Sequence, residues 1–170
     1  LTNVVKVLGG SMHSVALKAD GTVWVWGRND YGNLGTGVVD AGSHPLPNQV
    51  PGIADVVDIA NGRDHILAVH KDGTVSAWGL DSAGQLGAGA LVAGGESATP
   101  LKVKGITDAT AVFANGNYSF ARRADGSLLG EYSKERRLYL PIQAIPKPVI
   151  NAFLAAEDKN FYEHGGIDFT

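Results

Sequence analysis

The chain contains no cysteine, which excludes a disulfide framework and thiolate metal ligands and is compatible with any compartment. No apolar run approaches the roughly 18 residues that a membrane-spanning helix needs. Leu1 is not followed by a basic stretch and an apolar core, so no secretory signal is expected here. No terminating signal precedes Thr170, and the polypeptide is expected to continue at both ends. Basic excess is missing as well. Residues 1–121 hold seven Lys and Arg against ten Asp and Glu, whereas residues 122–170 hold seven of each. A mildly acidic surface offers no basic face to phosphates, which argues against nucleic acid as a partner.

Glycine, by contrast, is abundant at 23 of 170 residues, and 44% of the chain is apolar. Glycine without a three-residue period implies many tight turns around a globular core. The turns recur. His13-Ser14-Val15-Ala16-Leu17-Lys18-Ala19-Asp20-Gly21-Thr22-Val23 aligns with His65 to Val75, and the same offset of 52 carries Trp26-Gly27 to Trp78-Gly79 and Leu34-Gly35 to Leu86-Gly87. A third, weaker copy runs from Tyr118 to Gly126 at an offset of 53.

Each copy reads as short strands. His13–Lys18 and Thr22–Trp26 flank the Asp20-Gly21 turn signal, and His65–His70 and Thr74–Trp78 flank Asp72-Gly73. Val4–Leu8 and Val56–Ala60 supply another strand per copy. Val23 and Val25 alternate with Trp24 and Trp26, so this strand is expected to be buried on both faces. Val38–Asn48 and Ala90–Thr99, rich in Gly, Pro and Ser, read as loops. His13 and His65 are expected to make structural hydrogen bonds, His44 and His70 lack partners at metal-ligand spacing, and the tryptophans are expected to pack between blades.

Gly-x-x-His, then Ala-x-x-x-Asp-Gly-Thr-Val-x-x-Trp-Gly, then Gly-x-Leu-Gly occupies Gly10–Gly35 and again Gly62–Gly87. This pattern resembles the regulator-of-chromosome-condensation repeat. The resemblance implies blades of a seven-bladed β-propeller, of which about two blades and a fragment of a third are expected within residues 1–123. In the third copy Tyr118 replaces the histidine, the spacing is one residue short, and no Trp-Gly follows. Members of the family bind proteins. Some exchange nucleotide on a small GTPase, and one bacterial kind inhibits β-lactamases. A protein partner contacting the variable loops is what the resemblance implies, and open strand edges are expected to cause self-association.

Past Gly126 the character changes. Leu128–Tyr132 continues a strand, Ser133–Arg137 is a charged turn, Leu138–Ile142 reads as a strand, and Pro146 and Pro148 mark a helix start. Val149, Ile150, Phe153 and Leu154 share a helical stripe, and Glu157, Phe161 and His164 continue it. A carboxylate on an apolar face needs a partner or a task; the bland reading is a helix end pointing to solvent. Glu157-Asp158-Lys159-Asn160-Phe161-Tyr162-Glu163-His164-Gly165-Gly166 resembles the first signature of the family 51 peptidoglycan glycosyltransferases, Glu-Asp-x-x-Phe-x-x-His-x-Gly. Glu135-Arg136-Arg137, Ile145-Pro146 and Val149–Leu154 resemble the neighbouring text of class A penicillin-binding proteins.

For residues 124–170 the resemblance implies that Glu157 is a general base on the acceptor 4-hydroxyl of lipid II. Asp158, Phe161, His164 and Gly166 match the remaining signature positions and would bind substrate or shape the site. No cofactor is expected for this chain, although a divalent cation is compatible with the complete enzyme, and a bacterial, extracytoplasmic envelope setting is implied. The family's second essential Glu and its diphosphate-binding groups have no match before Thr170, so this stretch is expected to be inactive alone. The expected architecture is mainly β, a partial propeller followed by a short strand-strand-helix segment. Three functional readings stay open: a binding module with a passenger tail, an envelope enzyme with a repeat region, and a recombinant or artificial join at the shared Ala124-Asp125-Gly126.

Overall fold

A computed structural model describes residues 1–131, and these build three antiparallel sheets. The first holds β1 (Val4–Gly9), β2 (His13–Lys18), β3 (Val23–Asn29) and β4 (Asp40–Gln49); the second holds β5 (Val56–Asn61), β6 (His65–His70), β7 (Val75–Leu80) and β8 (Glu96–Lys102). The third holds β9 (Ala109–Asn115), β10 (Tyr118–Arg123) and β11 (Leu128–Glu131). In every sheet spatial order follows chain order, as up-and-down meanders require. There is no helix among the described residues. The architecture is a partial, open β-propeller. The expected helix from Pro146 and the strand at Leu138–Ile142 lie outside the described residues.

The repeated Asp-Gly signature has a local cause. Asp20 Oδ1 accepts from the Thr22 N–H at 3.1 Å and the Thr22 hydroxyl at 2.6 Å. Asp72 does the same to Thr74 at 2.9 and 2.6 Å, and Asp125 to Ser127 at 2.9 and 2.6 Å. The intervening Gly21, Gly73 and Gly126 sit at φ of 78°, 80° and 83°, where only glycine is unstrained. The Trp-Gly signature has a different cause. A Cβ on Gly79 would stand 2.5 Å from the Asp64 carbonyl oxygen, so the side chain is excluded by the loop entering β6.

Two cores join the sheets. Val15, Leu17, Val23 and Val25 of the first sheet meet Ile59, Ile66, Ala68 and Trp78 of the second. Ala60, Leu67, Val69, Val75 and Ala77 on the second sheet's other face meet Ala109, Val112 and Ala121 of the third. Backbone bonds repeat at both joints. Val56 donates to the Gly21 carbonyl at 3.1 Å and Ala109 to the Gly73 carbonyl at 2.9 Å; Ser11 donates to Arg63 and Arg63 to Gly116, both at 2.8 Å. Lys6 Nζ reaches Asp58 Oδ1 at 2.7 Å across the first joint, and Asp58 Oδ2 accepts from the Val112 N–H at 3.1 Å across the second.

Two sequence expectations need correction. Val38–Asn48 and Ala90–Thr99 are not simply loops, because they contain most of β4 and the start of β8. These are outer strands paired on one side only; β4 is largely exposed, so Pro45 and Pro47 are tolerated there, while β8 is partly covered, with Ser97 buried and Leu101 packed on the second core. Burial of β3 is also uneven. Val23 and Val25 are fully buried, but Trp24 and Trp26 are only partly covered, since they face away from the second sheet. Trp78, the counterpart of Trp26 on β7, is fully buried and donates from Nε1 to the Asn33 carbonyl at 3.0 Å.

Candidate interaction face

Because the strands alternate in direction, the β1–β2, β3–β4, β5–β6, β7–β8 and β9–β10 connections gather at one end of the stack. The two long connections are held open by one buried polar residue each. Asn29 Oδ1 accepts from the Leu34 N–H at 3.1 Å while its amide donates to the Val38 carbonyl at 2.9 Å. In the next repeat Asp81 accepts from Leu86 N–H at 2.9 Å and Val92 N–H at 2.7 Å. Asn33 and Gln85 then cap the Tyr31 and Ala83 N–H groups at 3.1 and 2.8 Å. Sequence reasoning passed over all four residues. Their shared offset of 52 is the signal that would have found them.

Beneath these connections a polar relay crosses all three sheets. With its amide oriented to satisfy every neighbour, Asn61 donates to His13 Nε2 at 2.8 Å and to the His65 carbonyl at 3.1 Å, and accepts from Gly10 N–H at 2.8 Å. His65 Nε2 lies 2.9 Å from Ser119 Oγ, which donates to the Gln85 carbonyl at 2.6 Å. The Ser119 proton is thereby committed, so His65 donates from Nε2 and its Nδ1 is left buried without a partner. Burial, reinforced by the proximity of His13, lowers the His65 pKa to about 4. Burial also lowers that of His13. Both rings are therefore neutral ties between repeats, the structural role expected of them.

The outer surface of this end is mixed. Met12, Val38, Val39 and Leu91 are exposed at 66%, 56%, 42% and 60%. Around them Arg28 pairs with Asp30 at 2.8 Å, His44 with Asp40 at 2.9 Å, and Arg63 with Asp64 at 3.0 Å. The His44 hydrogen bond, with others from Asn29 and the Gly42 N–H, brings the Asp40 carboxyl down to about 2. Exposed ion pairs add little stability but hold side chains in defined positions. Among the described residues no group of three His, Asp or Glu is arranged to hold a metal ion.

The opposite end carries a shallow cleft of about 480 Å³ beside His70 and Ser76. His70 Nδ1 faces the Ala54 carbonyl at 2.8 Å and so carries the proton, leaving Nε2 to accept from Ser76 Oγ at 2.7 Å. This is the tautomer of a base beside a hydroxyl. An acyl-transfer site also needs free donors for an oxyanion. The nearby Val56, Lys71 and Gly73 N–H groups all donate within the fold, to Gly21, Asp55 and His70. Glu157, Asp158, Phe161, His164 and Gly166 lie outside the described residues, so their grouping rests on sequence.

Residues 20–69 match the model of the Regulator of chromosome condensation (RCC1) repeat, and residues 4–33 and 56–85 match a second model of that repeat. Residues 125–170 match the Transglycosylase family. The RCC1 domain-containing protein RUG3, mitochondrial, of Arabidopsis thaliana is 32% identical over 163 residues, covering 92% of this chain and 36% of that protein. Penicillin-binding protein 1A of Rickettsia felis is 57% identical over 44 residues, covering 26% of this chain and 6% of that protein. The chain thus spans about a third of one relative's length and a small part of the other's.

Human WBSCR16 superposes with a TM-score of 0.66 at 22% identity, covering 81% of this chain and 36% of that one. Prp20p of Saccharomyces cerevisiae, which has binding properties toward Gsp1p and histones, superposes at 0.67 and 23% identity, covering 78% and 34%. These likenesses show the fold. The chain carries RCC1 repeats followed by a short transglycosylase-like tail.

Proposed function

We propose that this RCC1-repeat chain is a protein-binding module whose partner docks on the loop end around Met12, Val38, Val39 and Leu91. The observation that carries this reading is the exposure of four large apolar side chains on connections fixed by buried Asn29, Asp81 and the His13–Asn61–His65–Ser119 relay. A preorganised surface loses little entropy on docking, and apolar groups ringed by charges suit the centre and rim of a protein interface. Prp20p, a protein of the same fold, has binding properties toward other proteins, which supports the class of partner. Cross-linking of the captured partner should concentrate on this end. Met12→Asp and Leu91→Asp should each lose capture, whereas Leu46→Asp on outer strand β4, exposed at 74%, should retain it. Equal loss in all three variants would refute the assignment.

The tail, taken from residue 124 onward, is proposed as the opening of a peptidoglycan glycosyltransferase from a bacterial cell envelope. Glu157 would act as general base on the lipid II acceptor, with Asp158, Phe161, His164 and Gly166 shaping the site. Any divalent cation would belong to the complete enzyme. The 57% identity to a penicillin-binding protein supports this reading. Turnover requires leaving-group stabilisation as well as a base. The 170-residue chain should accordingly give no glycan from lipid II, and a chain extended through the remaining glycosyltransferase segment should. In that extended chain Glu157→Gln should remove roughly two to four orders of magnitude of rate. Glycan made by the short chain and unaffected by Glu157→Gln would contradict it.

We also propose that the two parts were joined at this juncture, by recombination or artificially. Residues 125–131 both close the third sheet's hairpin and begin the transglycosylase match, so a crossover there preserves a turn that each side can use. Self-association is a further part of the proposal.

A further inference from the structure

Outer strand β4 does not follow β3 evenly. Val25 pairs with Asn48 and Gly27 with His44, so Pro45, Leu46 and Pro47 stand opposite Trp26 alone and bow out of the rim. The bow is stiff. Proline fixes φ at positions 45 and 47, and each proline holds the residue before it, His44 and Leu46, in an extended conformation. Asn48 Nδ2 donates to the Leu46 carbonyl at 3.0 Å, and His44 is tied to Asp40 at 2.9 Å. Leu46, at the crest, is 74% exposed, more than any other large apolar side chain among the described residues.

The second sheet shows what a neighbouring repeat does to such a bow. There Ala77 pairs with Leu101 and Gly79 with Ser97, which leaves Ala98, Thr99 and Pro100 opposite Trp78. The first sheet's long connection settles on the first of these, with the Gly37 N–H donating to the Ala98 carbonyl at 2.8 Å. Thr99, at the Leu46 position, stays exposed although this sheet is packed on both faces. A flanking repeat therefore reaches the Pro45 position and spares the crest.

We propose that Pro45-Leu46-Pro47 is a docking epitope for a separate protein domain whose groove is lined by aromatic side chains, of the kind that reads polyproline II segments. Proline rings pack flat against aromatic faces, and a backbone already held extended loses little entropy on docking. Leu46 would fill an apolar pocket as the single anchor. No residue from Pro45 to Pro51 is charged, and His44 is paired with Asp40, so a neutral aromatic groove complements the segment. Pairing with a further strand is the poorer fit, because Pro45 and Pro47 have no N–H to donate.

This epitope is on the rim and does not rest on the loop-end reading. Titration of an isolated WW domain, a small fold that reads proline-rich segments through aromatic side chains, into the isotope-labelled full chain tests it. The Leu46, Asn48 and Gln49 amide signals should shift and saturate, while those of Met12 and Leu91 should not. Leu46→Asp and Pro47→Ala should each weaken binding at least about tenfold, with circular dichroism confirming that the sheets persist. Met12→Asp should bind the WW domain like wild type, and Leu46→Asp should still capture the loop-end partner, so each reading can fail without the other. No saturable shift, shifts gathered at the loop end, or a Leu46→Asp variant that binds like wild type would each overturn the proposal. The same shifts on concentrating the chain alone would make a second copy the occupant and overturn it as well.

Discussion

Acid should loosen the stack before it titrates the turn carboxylates, and His65 sets where. The ring is fully buried, Nε2 is committed to Ser119, and Nδ1 has no partner. Protonation would place a charge in a fully buried site, where the cost of burial outweighs the one favourable contact, with the Tyr118 backbone. Burial, then the nearby His13, brings the pKa from 6.5 to about 4. The unfolded chain takes up a proton near 6.5, but the folded chain does not until about 4. Stability therefore falls as pH drops through this window and, for this group, levels off below it. The shift corresponds to roughly 3 kcal/mol in all, with a slope of at most about 1.4 kcal/mol per pH unit. His13, also lowered, adds in the same direction. Asp20 and Asp40, held near 2 by hydrogen bonds from Thr22 and His44, contribute stability that is present above 3.8 and lost as pH falls toward 2. The two windows are separate. Urea denaturation followed by tryptophan fluorescence from about pH 7 to about pH 4.5 should show a falling midpoint, and His65→Gln should flatten the trend. An unchanging wild-type midpoint, or an identical slope in His65→Gln, would refute this account of the relay.

Other substitutions probe the packing. Trp78→Ala removes a fully buried indole and its bond to Asn33, and should cost about 3–5 kcal/mol in the same denaturation assay. Gly79→Ala, at φ of 100° and facing the Asp64 carbonyl, should destabilise by at least about 1–3 kcal/mol, whereas alanine at Gly52, which has open space at φ of 77°, should cost less than at Gly79. Asn29→Ala should leave the sheets intact by circular dichroism yet loosen residues 29–38, read as increased proteolysis of that connection.

Much of the fold was legible because the repeat writes its own constraints. Asp-Gly-Thr encodes a turn in which the carboxylate binds the residue two positions later, and Trp-Gly encodes a backbone approach too close for a Cβ. The structural task of His13 and His65 followed from their recurrence. The outer strands were not legible, since both pair on one side only, β4 is mostly exposed and β8 is only partly covered, which leaves no clear hydrophobic period to read. The uneven covering of Trp24 and Trp26 was hidden for another reason. Alternation tells which residues share a face, not whether another sheet lies against it. At the loop end, Asn29 and Asp81 carry no chemistry in their residue type alone; their meaning comes from the connection each one ties.

The central claim is that neighbouring repeats share cores and fold as one stack. Amide hydrogen exchange at Val56, Arg63 and Ala109, whose N–H groups donate from one sheet to the next, tests it most directly. The account predicts that these three amides exchange as slowly as Ala16 and Ala68 within the strands, through opening of the whole stack. Rapid exchange at the three joints beside protected strands would mean that the sheets are independent, and would contradict it.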